Sequence, residues 1–312
     1  QILKDLQSVR DGSSIVKFFI GDYGSGKSFI QGLVKQVAFQ FDFVVTNADF
    51  TAEKRLNGEK RALPLYTELI HNLSTTTSPE GGALSIIIDK WITSIQMEVK
   101  EENNYKEVDL SNEKFVEDIK DVINSKIIKM DGISGGYDFS RILIIYFQGF
   151  IEGDIEKQRK ALRWIRGEYG TRTEAKADLG VRDIIDDHNY YNYLKVISQF
   201  VRQVGYAGLV VNLDEAVNLY KINHPIARER NYETILSIFN DCLQGDIEGL
   251  YITFSGTTEF LKDERRGLYS YGALRRRLEV NHFETEEFRD LSQPVIELSP
   301  LKQEELFVLL ER

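Results

Sequence analysis

The chain contains a single cysteine, Cys242, among its 312 residues. One thiol cannot form an internal disulfide or a zinc site built from several thiolates, which indicates a reducing, cytoplasmic environment. Free cysteines are usually buried, so we expect Cys242 to be a packed core thiol.

Long apolar runs are also missing. The most apolar stretch, RILIIYFQGFI at residues 141–151, is too short to span a bilayer, and the first residues, QILKDLQSVRDGSS, have no apolar segment of a signal peptide. The sequence therefore predicts no contact with a membrane. The chain begins without Met and stops at ELFVLLER, inside a predicted helix, so we expect it to be part of a longer chain.

Positive charge is scarce overall. The chain has 39 Lys and Arg against 49 Asp and Glu, a net charge of −10. Such a protein does not coat nucleic acid non-specifically, so a contact with nucleic acid would need a local basic patch. With 42% apolar residues, the chain can form either two domains or one α/β domain with a large insertion.

The most informative stretch is GDYGSGKSF at residues 21–29, in which Gly21, Gly26, Lys27 and Ser28 fit G-x-x-x-x-G-K-[ST]. The preceding SIVKFFI, residues 14–20, predicts a buried strand. The following residues 28–41 predict a helix, with an apolar stripe formed by Phe29, Leu33, Val37 and Phe41.

A glycine loop between a strand and a helix is a phosphate-binding arrangement. Glycines let backbone N–H groups point at phosphate oxygens, and the helix presents its positive end to the same anion. Lys27 is expected to reach the β- and γ-phosphates, as a catalytic group, and the Ser28 hydroxyl to bind Mg²⁺. The predicted nucleotide contacts are Gly21, Asp22, Tyr23, Gly24, Ser25, Gly26, Lys27, Ser28 and Phe29.

A second strand supplies candidate residues for hydrolysis. The apolar run in GYAGLVVNLDEAVNL, residues 205–219, ends at Asp214 and Glu215. Asp214 is predicted to hold Mg²⁺, and Glu215 to orient and polarise the attacking water. The alternative is a strand that simply ends in two solvated acids. Asn212 interrupts the apolar run and faces either the neighbouring strand or the site.

Other strand ends carry weaker candidates. The strand GLYITFSG, residues 249–256, is followed by polar residues, and either Ser255 or Thr257 could sense the γ-phosphate or only form a turn. The strand DFVVTN, residues 42–47, ends at Asn47, which could gate the catalytic glutamate. After PVIELSPL, residues 301–312 are expected to begin a helical lid that the chain cuts short.

About 160 residues separate the strand at 42–47 from the strand with the acids, far more than an ordinary connection. We predict an α/β fold of the P-loop NTPase type, with a central, mostly parallel sheet flanked by helices. Its parts are expected to be core at 1–54, a mainly helical insertion at 55–200, core again at 201–300, and the start of a lid at 301–312.

Residues 157–182 form a local basic segment with eight Lys or Arg against three acids. Two short helices around a glycine turn there could resemble a helix-turn-helix and contact DNA, with Trp164 stacking on a base. The alternative is a solvated helix face that also docks an acidic neighbour or a partner subunit.

A second basic run, LRRRLE at 274–279, follows the predicted sensor strand. Ring-forming ATPases place there an arginine that reaches the γ-phosphate of a neighbouring subunit. Arg275, Arg276 and Arg277 are all candidates, with Arg276 taken as the first choice, and a plain surface helix end is the alternative.

The order of these motifs resembles the AAA+ ATPases, and more closely the ATP-binding protein family of BREX bacteriophage-exclusion systems. Five stretches carry this resemblance, which extends over about residues 12–310: GDYGSGKS (21–28), VVTNADF (44–50), LRWIRGEYGTRTEAKADLGVR (162–182), GYAGLVVNLDEA (205–216) and SGTTEFLKDERRGLYSYGALRRRL (255–278). It implies a prokaryotic cytoplasmic ATPase that acts in phage defence with other proteins of the system, often beside a helicase.

Three functions are compatible with these residues. The first is an ATPase, for which a homo-oligomer is one option, that remodels or licenses a protein–DNA complex. The second is a nucleotide-gated switch or scaffold with little turnover. The third is a P-loop kinase, against which the water-activating Glu215 argues. The sequence has no guanine-selective N-K-x-D stretch, which favours ATP over GTP.

Overall fold

The computed structural model describes residues 1–128, 136–279 and 290–299, with the side chains of 127 and 128 left out. Its centre is a parallel sheet with the strand order β2–β3–β4–β1–β5. The strands are β1 (Ile15–Ile20), β2 (Val44–Asp49), β3 (Leu209–Asp214), β4 (Leu250–Gly256) and β5 (Val295–Glu297). The predicted α/β class and parallel sheet are confirmed, and β4 lies between the strand of the glycine loop and the strand of the acids.

Helices account for most of the other described residues. Those before β3 are α1 (Ile2–Arg10), α2 (Lys27–Gln40), α3 (Ala62–His71), α4 (Leu84–Glu102), α5 (Glu113–Ile128), α6 (Gly136–Glu152), α7 (Ile155–Ile165), α8 (Arg172–Leu179) and α9 (Tyr190–Gln203). Those after it are α10 (Val217–Tyr220), α11 (Pro225–Gln244), α12 (Thr258–Lys262) and α13 (Gly272–Leu278).

The sheet is covered on both faces, as parallel sheets are. On one face, α1 and α2 pack on Phe19, Val45, Val210 and Tyr251 in a small apolar cluster. On the other face, a much larger cluster continues from the sheet into the helices between β2 and β3. Those helices lie at residues 62–203, nearly all of them within 55–200, and the division of the chain into parts stays a prediction.

Only half of the predicted apolar stripe of α2 packs on the core, since Val37 and Phe41 are partly buried against the sheet cluster. Phe29 and Leu33 are 67% and 41% exposed, whereas Gln31, Val34 and Ala38 are buried. The helix turns a polar residue, Gln31, toward the sheet because that side chain finds hydrogen-bond partners there. It donates to the Leu213 carbonyl at 3.3 Å and to the Thr253 hydroxyl at 3.2 Å.

One carboxylate fastens the two ends of the helical region to each other. Asp187, just before α9, accepts hydrogen bonds from the backbone N–H groups of four consecutive residues at the start of α3, 60–63. An acceptor at this position satisfies the free N–H groups of a first helical turn and complements the helix dipole. The segment that leads back to β3 is thus held at the point where α3 begins.

Two remaining predictions concern single features. Cys242 is buried as expected, and burial raises the pKa of its thiol to about 12. Within the described ranges, no helix has the length and apolarity needed to cross a membrane. The predicted lid at 301–312 lies outside the described residues.

Candidate functional site

The glycines of the loop between β1 and α2 are needed for its shape. Gly24 and Gly26 have φ angles of 80° and 90°, a left-handed region that other residues rarely adopt. At Gly21, a Cβ atom would lie 2.4 Å from the Ser25 Oγ and 2.5 Å from the Leu298 carbonyl oxygen. The loop is therefore packed tightly against β5 on one side and curled around its own backbone on the other.

Lys27, the first residue of α2, reaches back over this loop. Its Nζ donates to the carbonyl oxygens of Gly21 and Asp22 at 2.7 and 2.8 Å, and it lies 5.7 Å from the centre of the Tyr23 ring. Among the described residues, no carboxylate pairs with it. The ammonium is thus held in the loop by neutral acceptors only, which leaves its charge free to attract an anion.

Two strands and one helix bring polar groups together around Asp214, the predicted metal ligand. Its Oδ2 accepts a hydrogen bond from the Ser28 hydroxyl at 3.0 Å, across from β3 to the start of α2. Its Oδ1 accepts from the Ser255 hydroxyl on β4 and from the Glu215 N–H, the latter at 2.6 Å. The Asp214 carboxylate is therefore fixed in orientation, with the Ser28 hydroxyl beside it.

The structure distinguishes between the two candidate sensor residues. Ser255 is fully buried and contacts Asp214 directly. Thr257 instead caps α12, where its hydroxyl accepts from the Phe260 N–H at 3.4 Å. Only Ser255 reaches the site.

Glu215 has an unusual backbone. Its φ angle is +56°, one of the few positive values among the described non-glycine residues. A left-handed conformation costs such a residue roughly 1–2 kcal/mol. It is maintained by the bonds from the Ala216 N–H to the Ser255 carbonyl and from the Asn218 N–H to the Glu215 carbonyl, at 2.8 and 2.9 Å. The Glu215 side chain is exposed, beside Asp214 and free of partners among the described residues.

A buried polar network lies beneath these acids. The Thr253 hydroxyl donates to the Asn212 Oδ1 at 2.8 Å and accepts from Gln31. Asn212 thus faces the neighbouring strand, one of its two predicted orientations. The network joins β3, β4 and α2 one layer below Asp214, and every buried polar group in it that we name has a partner, as interiors require.

At the end of β2, the predicted residue, Asn47, is not the one that lies level with Asp214. Asn47 pairs in register with Asn212, whereas the residue level with Asp214 is Asp49. Asn47 is exposed, and its carbonyl accepts from the Asn72 side chain at 2.8 Å. Asp49 is exposed to water, and the partial burial of its carboxyl is the main cause that raises its pKa. Asp214 and Glu68 raise it further, and Lys54 lowers it. The sequence reasoning missed Asp49, although it ends β2 as Asp214 ends β3.

Comparison with known proteins identifies one family. A family model described as "BREX system ATP-binding protein BrxC/D" matches residues 1–312, the whole chain. The chain belongs to this family. No curated protein and no solved structure matches it. Membership of the BREX ATP-binding family indicates nucleotide binding and a role in the BREX defence system.

In this member of the BREX family, the three arginines of α13 have different surroundings. Arg275 pairs with Glu264 at 3.0 Å, and Arg277 donates to the Asn240 side chain at 2.8 Å. Arg276 is exposed and has no partner within the described part of the chain. Of the three, Arg276 is the guanidinium that is free to meet a second molecule.

The basic segment 157–182 does form two short helices, α7 and α8, around a glycine turn. Five of its eight cations are in ion pairs, among them Lys160 with Asp178 and Arg163 with Glu174. Trp164 is buried, 1% exposed, and donates to the Asp183 carbonyl at 2.8 Å, so the prediction that it stacks on a base is wrong. Contact with DNA through this segment stays a prediction.

Proposed function

We propose that this chain binds ATP with Mg²⁺ at the loop 21–28 and hydrolyses it as an AAA+-like P-loop ATPase of a bacterial or archaeal BREX system. The observation that carries the proposal is the convergence on Asp214 of Ser28 from the loop helix and Ser255 from the central strand. A crevice at the carboxyl ends of parallel strands is the usual ligand site of an open α/β sheet.

The residues present suit a phosphate group and a magnesium ion. The loop is curled by glycines that a side chain could not replace, and Lys27 is held only by carbonyl groups that a phosphate can displace. The Ser28 hydroxyl and the Asp214 carboxylate are hard oxygen ligands, the kind that Mg²⁺ takes alongside substrate phosphates. When bound, the ion would offset the negative charge of the phosphates.

In the proposed mechanism, Lys27 moves its hydrogen bonds from the two carbonyl groups to the β- and γ-phosphates. Glu215 orients a water molecule and accepts its proton while the water oxygen attacks the γ-phosphorus and the bond to the β-phosphate oxygen breaks. Ser255 holds the Asp214 carboxylate in its orientation. The products are ADP and inorganic phosphate.

The wider role is also a proposal. Family membership supports other BREX proteins as partners, with remodelling or licensing of a protein–DNA complex in the cytoplasm as the proposed task. A helicase among the partners, DNA contact through 157–182 and a homo-oligomer that uses the free Arg276 are further parts of it.

The first test is phosphate release from ATP by the chain and by Glu215→Gln, with and without double-stranded DNA, while mass in solution is followed. We expect turnover to fall by roughly 10²–10⁴ in the variant because a general base is lost, with ATP affinity retained. Glu259→Gln, which removes an exposed acid from α12, is the matched control and should turn over normally.

Two results would contradict this reading. Tight ATP binding without turnover in any condition would favour the nucleotide-gated switch or scaffold. Equal rates for the chain and Glu215→Gln would show that another group activates the water.

A further inference from the structure

Asp49 lies next to the proposed metal side of the site. It ends the edge strand β2 in parallel register with Asp214 on β3, and neighbouring strands are about 4.8 Å apart. Val45 and Val210, four residues earlier on each strand, are buried against α1 and α2. Because side chains alternate between faces, Asp49 and Asp214 point to that same side. The Asp49 carboxylate is exposed and has no hydrogen bond within the described ranges.

Two further charges act on Asp49. Lys54 follows it in the loop after β2 and forms a close ion pair with Glu68 on α3. Both of these side chains are about a quarter exposed, at 24% and 29%, so water screens them only in part. The Thr46 hydroxyl on β2 donates to the carbonyl of Leu69, the neighbour of Glu68 on α3, which places the ion pair beside the strand that Asp49 ends. The charges of Asp214 and Glu68 raise the pKa of the Asp49 carboxyl and that of Lys54 lowers it. One positive charge, on Lys54, therefore lies among the negative charges of Glu68, Asp49 and Asp214.

These charges sit on parts of the chain that are held in place. The Thr51 N–H donates to the Lys54 carbonyl at 3.0 Å, and the Lys54 N–H donates to the Thr51 hydroxyl at 3.1 Å, which closes the turn that carries Lys54. On α3, the neighbours of Glu68 are fixed as well, since the Thr67 hydroxyl donates to the Arg166 carbonyl at 2.9 Å. Fixed positions keep the distances between these charges, and so the strength of their interactions, well defined.

We propose that Asp49, Lys54 and Glu68 form a charge triad that sets how strongly the site couples ATP binding to Mg²⁺, with Asp49 as a positioning residue for the ion's hydration water. This inference rests on the proposed nucleotide site. Mg²⁺ keeps several waters in proteins, and carboxylates that hydrogen-bond those waters are typically worth 10–100-fold in metal affinity.

The triad predicts the direction in which each substitution shifts the Mg²⁺ dependence of ATP binding. General structural damage predicts no such direction. The quantity to compare is the ratio of ATP affinities measured with excess Mg²⁺ and with EDTA. Asp49→Asn removes a negative charge, which weakens the hold on the cation and eases the approach of metal-free ATP, so the ratio falls about 10-fold or more. Glu68→Gln lowers the ratio for the same reason. Lys54→Met removes a positive charge and raises it.

Binding of a fluorescent ATP analogue to the full chain provides the readout, so the test does not depend on hydrolysis. Lys106→Met and Glu107→Gln, exposed residues between α4 and α5 without ion pairs among the described residues, are matched controls and should leave the ratio unchanged. General damage to folding affects both affinities and cancels in the ratio.

Opposite shifts for Asp49→Asn and Lys54→Met support the triad. Shifts in the same direction, or shifts no larger than those of the controls, overturn the triad. If the unaltered chain still binds ATP in a Mg²⁺-dependent way, that result leaves the proposed function intact. Binding by the unaltered chain that ignores Mg²⁺ would overturn both.

Discussion

Lys17 lies in β1, and Lys27 begins α2 after the loop that follows this strand. Both lysines donate to backbone carbonyl groups. Lys17 donates to the carbonyls of 291, 292 and 293 at 2.8–3.0 Å, and it also lies 3.4 Å from the Asp5 carboxylate. Lys27 donates to two carbonyls and has no carboxylate partner among the described residues.

The difference lies in burial and in charge balance. Lys17 is 2% exposed, and burial lowers the pKa of its ammonium group, which Asp5 opposes. Its charge is neutralised and enclosed, so it can only fasten the segment before β5 to β1 and α1. Lys27 is partly exposed and not neutralised. The same ammonium–carbonyl contact is therefore structural at Lys17, whereas at Lys27 we propose that phosphate displaces it.

The largest effect is expected on the unfolding free energy when Lys17, whose charge is enclosed, is replaced. Lys17→Met leaves the buried Asp5 carboxylate unpaired, and breaking a buried pair in this way costs about 3–5 kcal/mol of unfolding free energy. Chemical denaturation measures the loss. Replacing both partners, Asp5→Leu with Lys17→Met, should restore most of it because no buried charge remains.

A loss below about 1 kcal/mol for Lys17→Met alone would show that the fold accommodates the Asp5 carboxylate without its partner at little cost, which would remove the distinction between the two lysines.

Lys27→Met should show the reverse behaviour. Hydrogen bonds to charged groups contribute about 1.5–3 kcal/mol, so ATP affinity is expected to fall by roughly 10- to 150-fold, with little change in unfolding free energy. Lys35→Met is the matched control, since Lys35 is on the same helix and donates to the Pro79 carbonyl at 2.7 Å. Binding of labelled ATP compares the two variants. Unchanged affinity in Lys27→Met would mean that phosphate does not displace the carbonyl contacts.

The sequence predicts the phosphate loop because its chemistry is local. Glycines at 21, 24 and 26 are needed for positive φ angles or close packing, and strand and helix follow from the flanking apolar patterns. The parallel sheet and the neighbourhood of Ser28, Asp214 and Ser255 also follow, since carboxyl ends of parallel strands share one edge. The roles assigned to these residues stay predictions.

What the sequence does not predict depends on partners distant in the chain. Lys17 interrupts an apolar strand, and only the fold supplies Asp5 and the carbonyls of 291–293 that allow its burial. The apolar spacing of α2 favours Phe29 and Leu33 as core residues, yet Gln31 is buried because Thr253 and the Leu213 carbonyl accept its hydrogen bonds. Asp49 is aligned with Asp214 only by strand register.

The smallest effect is expected on DNA binding by α7 and α8. Most of the cations there are paired with carboxylates, as Lys17 is, but they lie at the surface. Glu174→Gln with Asp178→Asn removes the partners of Arg163 and Lys160. The two freed cations should make binding to double-stranded DNA detectably tighter at low salt and steepen the dependence of log affinity on log salt by up to about two units.

Glu80→Gln with Glu107→Gln removes the same net charge from exposed positions without ion pairs in the described chain, and should change DNA binding less. The opposite pattern would be equally informative. If the unaltered chain already binds DNA, and Lys160→Met alone lowers the salt slope by about one unit, then Lys160 exchanges Asp178 for a phosphate group. In that event the basic helices would behave like the loop at Lys27, and a carboxylate partner would no longer distinguish a structural cation from a ligand-binding one.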